Sequence, residues 1–218
     1  MCRIPLYVRI GIERLVRLEG TEHYAAGKRR GKGILIVAGH FGSFELGLAS
    51  LAQRFAPVSV VVKAFPEGVD RFVNGIRACA GAHVIPARGA VKSMLRALKN
   101  NEAVVVIIDQ NSTQRKGVFV EFFGKSACTM LGLAVVAERT GACVIGVSAW
   151  REPDGSHVVR LHPEFPLVHQ ESRADTVRHM TQTYTRFIEQ AIRAHPEQWL
   201  WPHKRYKTRP SGEVTGNR

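Results

Sequence analysis

The sequence predicts a single α/β domain with a mainly parallel central sheet flanked by helices. Short runs rich in Val and Ile alternate with segments of helical periodicity, and 218 residues with 45% apolar content suit one full-sized core. The runs are residues 33–39 (GILIVAG), 58–63 (VSVVVK), 103–109 (AVVVIID) and 142–150 (ACVIGVSAW). Each is nearly continuous in apolar residues, the pattern of strands covered on both faces. Strands that alternate with helices lie parallel, because each helix carries the chain back across the sheet.

The elements follow in order. Residues 1–20 carry alternating apolar side chains among four arginines, and are expected to form an amphipathic helix, either lying in a membrane interface or packing as an ordinary first helix. Pro5 weakens any helix that begins before it. No run reaches about 18 apolar residues, so no membrane span is expected within the sequence. Helices are expected over 43–54, capped by Ser43, and over 70–80, 90–100 and 129–140, the last stopped by Gly141. Residues 82–85 read as a short strand, and 157–161 as the return strand of a hairpin after the Pro153-Asp154-Gly155 turn. The longest helix spans 173–195, with Val177, Met180, Tyr184, Phe187, Ile188 and Ile192 at helical spacing and Pro196 ending it. Residues 211–218 read as a disordered tail behind a domain covering 21–210.

Lys and Arg number 31 against 18 Asp and Glu, a formal charge of +13. A surface of that sign favours an anionic partner: phosphate-bearing lipid, an acidic carrier protein or nucleic acid. Cys2, Cys79, Cys128 and Cys143 form no CxxC pair and sit in or beside apolar stretches, as reduced cysteines do. The nine His show no metal-ligand spacing, and no glycine-rich phosphate loop of either common type is present. No metal or cofactor is expected.

In a parallel sheet the ligand lies beyond the carboxyl ends of the strands. The residues there are Gly39-His40, Lys63, Asp109-Gln110 and Arg151. At the first strand end, GHFGSFEL places His40 on the way out of the strand and Glu45 in the first turn of a helix. The spacing lets Glu45 fold back to hold one imidazole nitrogen, leaving the other to take a proton from a hydroxyl. Ser43 is read as a helix cap rather than a nucleophile, because a nucleophile elbow needs Gly where Glu45 stands. Asp109, at the mouth of an apolar strand, needs a partner or solvent. The FVEFF stretch, with Phe122 and Phe123, either covers an acyl chain or closes the core. WLWPHKRYKTRP interleaves Trp199, Trp201 and Tyr206 with His203, Lys204, Arg205, Lys207 and Arg209, a mixture suited to a membrane interface or to stacking on single-stranded nucleic acid.

GHFGSFEL, Lys63, Arg77, IIDQ, GVFVEFFGKSACT, Arg151 and QWLWPHKRYKTRP stand in the order found in the lipid A late acyltransferases, which the chain resembles from about residue 14 to 210. The FVxFFG and W-x-HKRxKTRP stretches are the specific part of the resemblance. It implies a glycerolipid acyltransferase-like fold, an acyl carrier protein or coenzyme A thioester as donor, and a hydroxyl of an anionic lipid A precursor as acceptor. It implies His40 as general base with Glu45 as partner, Arg77 and Asp109 in the catalytic group, and substrate contacts from Lys63, Gln110, Lys116, Phe122, Phe123, Arg151, His203, Lys204 and Arg205. A peripheral place on the cytoplasmic face of the bacterial inner membrane, with no nucleic acid partner, follows from the same resemblance. FPEG at 65–68 mimics a block of glycerophosphate acyltransferases but follows the wrong strand. Gly39 departs from the polar residue usual before the His, and no membrane-spanning helix precedes the domain in this sequence. The rival readings are acylation of another lipid, such as a lysophospholipid, ornithine lipid or mannoside, and a non-catalytic binder of anionic membrane or nucleic acid.

Overall fold

A computed structural model describes residues 1–210; the tail expected over 211–218 lies outside the described residues. Seven strands form one sheet: β1 (Val16–Glu19), β2 (Ile34–Ala38), β3 (Val58–Val62), β4 (Ala82–Pro86), β5 (Ala103–Ile107), β8 (Cys143–Arg151) and β9 (His157–Glu164). Their spatial order is β1-β9-β8-β2-β5-β3-β4. All neighbours are parallel except the β8–β9 hairpin, the return strand predicted from the Pro-Asp-Gly turn. β2, β5 and β8 are the sheet's centre, and β2 is buried along its whole length, as its unbroken apolar run requires.

Helices cover both faces. On one lie α2 (Thr21–Arg29), α3 (Phe44–Phe55), α4 (Glu67–Cys79) and the short α1 (Ile4–Ile10); on the other lie α5 (Ala90–Lys99), α6 (Gly132–Thr140) and α7 (Arg173–Ala194). The sheet therefore separates two apolar clusters, one around Leu35, Val104, Met180 and Ile188, the other around Ile36, Leu51, Val60 and Ile145. Gly146 fits the tight crossing of β8 under α7, since a Cβ there would meet the Phe187 ring at 2.6 Å.

Three expectations change. The first twenty residues are not one helix. α1 ends at Ile10, Gly11 turns the chain at φ 94°, and Val16–Glu19 enters the sheet beside β9. A positive φ is outside the helical range, and glycine alone adopts it without strain. Residues 117–130, read as a loop and a helix start, form a second sheet: the antiparallel hairpin β6 (Gly117–Phe122) and β7 (Lys125–Met130). Its two-residue turn is Phe123-Gly124, both at positive φ, the backbone a tight hairpin demands. Helix α6 accordingly starts at Gly132, not at 129. No helix among the described residues is long and apolar enough to cross a membrane.

Candidate active site

The carboxyl ends of β2 and β5 lie side by side, with Ala38 paired to Ile107. Each strand releases its chain at the same edge, and the next few residues bring His40 and Asp109 together. His40 Nδ1 stands 2.8 Å from Asp109 Oδ1. The backbone N–H of His40 donates to Asp109 Oδ2 at 2.9 Å, and Trp199 Nε1–H donates to the same oxygen at 2.8 Å. Asp109 is buried, its side chain 2% exposed, while His40 keeps 21% of its side chain open to solvent. Burial by itself pushes the Asp109 carboxyl up; the hydrogen bonds and charge of His40 and the Trp199 N–H outweigh it and hold the group below the usual carboxylate range. The aspartate is thus ionised and directs Nδ1 to carry the proton, which leaves Nε2 as the basic nitrogen. Gln110 places its amide nitrogen 3.5 Å from that Nε2.

The carboxylate expected beside His40 was Glu45. The structure puts Asp109 there instead and gives Glu45 to Arg77. Arg77 Nε–H donates to Glu45 Oε2 at 3.1 Å, and its Nη2 pairs with Oε1. Arg77 Nη1 also donates to Asn74 Oδ1 at 2.9 Å. Glu45 points from the first turn of α3 and Arg77 from the last turn of α4, so the pair ties two helices behind the His40 loop. Spacing along the chain allowed His40 to meet Glu45; it carried no information about a guanidinium arriving from residue 77, whose planar fork satisfies both carboxylate oxygens at once.

The loop between β2 and α3 is held firmly. Gly42 has φ 53°, and a Cβ there would lie 2.2 Å from the Ala149 carbonyl oxygen, so only glycine passes. The Gly42 N–H donates to Gln198 O at 2.8 Å and the Leu200 N–H to His40 O at 3.2 Å. The segment after α7 is therefore a strap across the site, and Trp199 is its anchor. His203 Nε2 accepts from the Asn111 N–H at 2.8 Å, and burial holds the His203 ring below the usual imidazole range. Asn111 Oδ1 in turn accepts from the Thr208 N–H at 3.0 Å. The strap thus fixes the loops after both β2 and β5.

The remaining expected residues separate into two groups. Lys63, Lys116, Arg151 and Lys204 are exposed, and Gln110, Phe123 and His203 are half-buried. Phe122 and Arg205, expected at the substrate surface, are instead inside the protein at 1% and 3% exposure. Arg205 donates to Cys128 O at 2.9 Å, pairs with Thr129 Oγ1 and lies over the Phe122 ring, which fastens the strap to the β6–β7 hairpin. For Phe122 the packing follows the alternative reading, closing the core.

Beside the His40 loop is a cavity of about 710 Å³, walled by Tyr7, Leu15, Phe44, Leu46 and Arg151 among others. The Phe44 ring stands edge-on to the imidazole at 5.0 Å, so it belongs to both the cavity and the His40 surroundings. A cavity of similar size, about 730 Å³, lies between the hairpin and α7 with Glu121, Lys125, Asp175 and Arg178 in its wall. It touches none of the strand-end residues, whereas the cavity beside Phe44 has Arg151 in its wall.

Two outcomes are expected of these charges. Arg77→Met leaves Glu45 buried without its partner and lowers unfolding free energy by ~3–5 kcal/mol; Glu45→Gln with Arg77→Met costs less than the sum of the two single changes in a double-mutant cycle by urea denaturation. Asp109, depressed in the fold from an ordinary 3.8, binds fewer protons there than in the unfolded chain. Its stabilisation is complete above that ordinary value and disappears as pH falls through the folded one. Asp109→Asn therefore makes stability fall less steeply on acidification below about pH 4, measured as urea midpoint against pH.

The bacterial lipid A biosynthesis acyltransferase family model matches residues 1–208. The lipid A biosynthesis lauroyltransferase of Escherichia coli is 30% identical over 206 residues, covering 92% of this chain and 65% of that one. The lipid A biosynthesis palmitoleoyltransferase of the same organism is 27% identical over 90% of this chain and 63% of its own. A phosphatidylinositol mannoside acyltransferase of Mycolicibacterium smegmatis is 26% identical over 82% and 58%. The chain thus spans a little under two thirds of the length of these relatives. With the match running from end to end of the described fold, the chain belongs to the bacterial lipid A biosynthesis acyltransferase family.

Proposed function

We propose that the protein transfers an acyl group from a carrier thioester to a hydroxyl of a glycolipid, a lipid A precursor, with His40 as general base and Asp109 as the carboxylate that orients and charges it. The observation that carries the proposal is the His40–Asp109 pair itself: a buried aspartate, held below the usual carboxylate range, bonded to Nδ1 of a partly open ring. This is the arrangement needed for a base that must become an imidazolium in the transition state.

In the reaction, Nε2 takes the acceptor hydroxyl's proton as its oxygen attacks the thioester carbonyl carbon. The tetrahedral intermediate collapses with cleavage of the carbon–sulfur bond, and the imidazolium returns the proton to the departing thiolate. An ester and a free thiol result, with no covalent enzyme intermediate. The N–H groups of His40, Phe41 and Gly42 already donate to Asp109, Gly39 and Gln198, so they do not serve the oxyanion. The Gln110 amide is the donor best placed for that charge, given its position by Nε2. Glu45 and Arg77 act as a positioning pair that holds the α3 end of the loop. The apolar cavity past Phe44 accommodates the acyl chain, its size falling in the usual range for small-molecule sites. The basic surface draws in both an acidic carrier protein and a phosphorylated acceptor.

The reading is supported by the names of the relatives that share this chain's fold region, two of them lipid A acyltransferases and one a mannoside acyltransferase. The test is mass spectrometry of lipids after incubation with acyl carrier protein or coenzyme A thioesters and a lipid A precursor. Product is expected at the mass of one added acyl group, and the modified species names the acceptor. Transfer drops by about 10²–10⁴ in His40→Ala and by at least about 10² in Asp109→Asn, with both variants folded. Retention of more than about a tenth of the activity by folded His40→Ala would remove the base assignment.

A further inference from the structure

Two neighbouring strands deliver the groups of the site, yet the sheet itself does not hold all of them in place. The β2–β5 ladder ends with Ala38 beside Ile107, and the bond from the Ile108 N–H to the Ala38 carbonyl at 3.1 Å closes it. Asp109 then clamps the His40 ring, but the Gln110 amide lies one residue further along a loop that has left the sheet. That loop is tied back to His40 by the strap. The Leu200 N–H donates to the His40 carbonyl at 3.2 Å, the Leu200 carbonyl accepts from the His203 N–H at 3.4 Å, and His203 Nε2 accepts from the Asn111 N–H at 2.8 Å. Residues 200–203 thus run from the residue that carries the base to the residue after Gln110. The 3.5 Å separation between the Gln110 amide nitrogen and His40 Nε2 depends on that span.

Further along the strap, Thr208 holds the Asn111 side chain at both ends. Its N–H donates to Oδ1 at 3.0 Å, and its Oγ1 accepts from Nδ2 at 3.0 Å and donates to the Ser112 carbonyl at 2.7 Å. Arg205 Nη1 stands 3.5 Å from the Gln110 carbonyl and 2.9 Å from the Cys128 carbonyl. A hydroxyl, an amide and a guanidinium keep these roles at any pH near neutral. The contact from His203 is different in kind. An imidazole nitrogen accepts only while it carries no proton, and an imidazolium donates at both nitrogens. Protonation of Nε2 would set two N–H groups head to head across the 2.8 Å contact, and one of them must withdraw. The ring is half-buried, so solvent protons reach it. A carboxylate in its place would accept the same N–H but would add a second negative charge near Asp109, at a cost in like-charge repulsion.

We propose that His203 is a positioning residue for acyl transfer: its neutral ring, accepting the Asn111 N–H at Nε2, keeps the Gln110 amide at the His40 ring, and its protonation releases that amide. His203 acts through Asn111 and Gln110 rather than on the reacting atoms. The inference deepens the acyl-transfer reading and rests on it for the role of Gln110 as oxyanion donor. Burial opposes the His203 imidazolium most strongly; Asp109, from the loop after β5, favours it, while Arg205 on the strap and His40 from the loop after β2 oppose it. The balance holds the ring below the usual imidazole range, so the accepting form prevails at neutral pH and is lost as pH falls through the folded value. Acid then removes activity through two protons. One neutralises the basic nitrogen of His40, and the other, on His203, unseats Gln110.

The test joins an equilibrium readout to a kinetic one, on the full chain. NMR without thioester or lipid follows the His203 ring nitrogens and the Gln110 side-chain amide from about pH 8 to about pH 5. A neutral His203 ring protonated on Nδ1 is expected. The Gln110 amide is expected to move with the titrations of both His40 and His203 in wild type, and with that of His40 alone in His203→Gln. In the kinetic arm, His203→Leu, which accepts nothing, lowers kcat by about tenfold or more with KM changed less than about twofold. His203→Gln, whose Oε1 accepts the same N–H at any pH, recovers most of that loss. Wild-type kcat falls with acid more steeply than one proton accounts for, and His203→Gln follows a single proton. Circular dichroism melts identify a variant that has lost its fold; if His203→Leu does so, the pH profile of His203→Gln decides. The proposal is overturned by a neutral ring protonated on Nε2, by a Gln110 amide that ignores His203, by a single-proton acid limb in folded wild type, or by folded His203→Gln as impaired as folded His203→Leu. Wild type with no transfer at any pH contradicts the acyl-transfer reading instead, and the NMR arm then decides alone whether His203 sets Gln110.

Discussion

A single buried carboxylate organises the active edge. Asp109 accepts from the His40 backbone, the His40 ring and the Trp199 indole, three groups drawn from the loop after β2 and from the strap after α7. An aspartate at the end of an apolar strand carries a large desolvation cost, and only several strong donors offset it. The cost and its compensation explain the local architecture: the strap crosses the sheet edge, Gly42 admits a close approach to Ala149, and His203 and Thr208 pin the loop that carries Asp109. Rigidity and charge at this edge thus have one origin, because the donors that keep Asp109 ionised are the ones that immobilise the His40 loop.

The second buried charge pair has a different consequence. Glu45 and Arg77 neutralise one another between α3 and α4, and so connect the His40 loop to α4, whose first turns are exposed. The two helices are therefore joined by a fork of two hydrogen bonds rather than by apolar contact alone.

The strands were legible because a parallel sheet buried on both faces leaves continuous Val/Ile runs, and β2, β3, β5 and β8 were found within a residue or two of their observed ends. The strand-end rule likewise singled out Gly39-His40, Lys63, Asp109-Gln110 and Arg151, of which the structure brings His40, Asp109 and Gln110 together. The hairpin β6–β7 escaped because its turn, Phe123-Gly124, has an aromatic residue at positive φ where turn chemistry favours Asn or Asp. β1 escaped because four residues with arginine and glutamate among them read as helix face as readily as edge strand. The pairing of carboxylates was illegible for a deeper reason. Local spacing favoured Glu45, five positions from His40, whereas Asp109 and Arg77 come from 69 and 32 residues away from their respective partners. Which long-range partner wins depends on the sheet order and on the direction of α4, and neither is encoded in the motif. Trp199 stood in a conspicuous aromatic stretch, yet nothing in that stretch distinguished an indole facing Asp109 from one facing a membrane.

The most direct test of the central claim is nitrogen NMR of the His40 imidazole at a pH where the ring is neutral. An Asp109-clamped ring predicts one tautomer, protonated on Nδ1 with a lone pair on Nε2, and loss of that preference in Asp109→Asn. A neutral ring protonated on Nε2 in the intact protein would leave no basic nitrogen facing the substrate and would contradict the account.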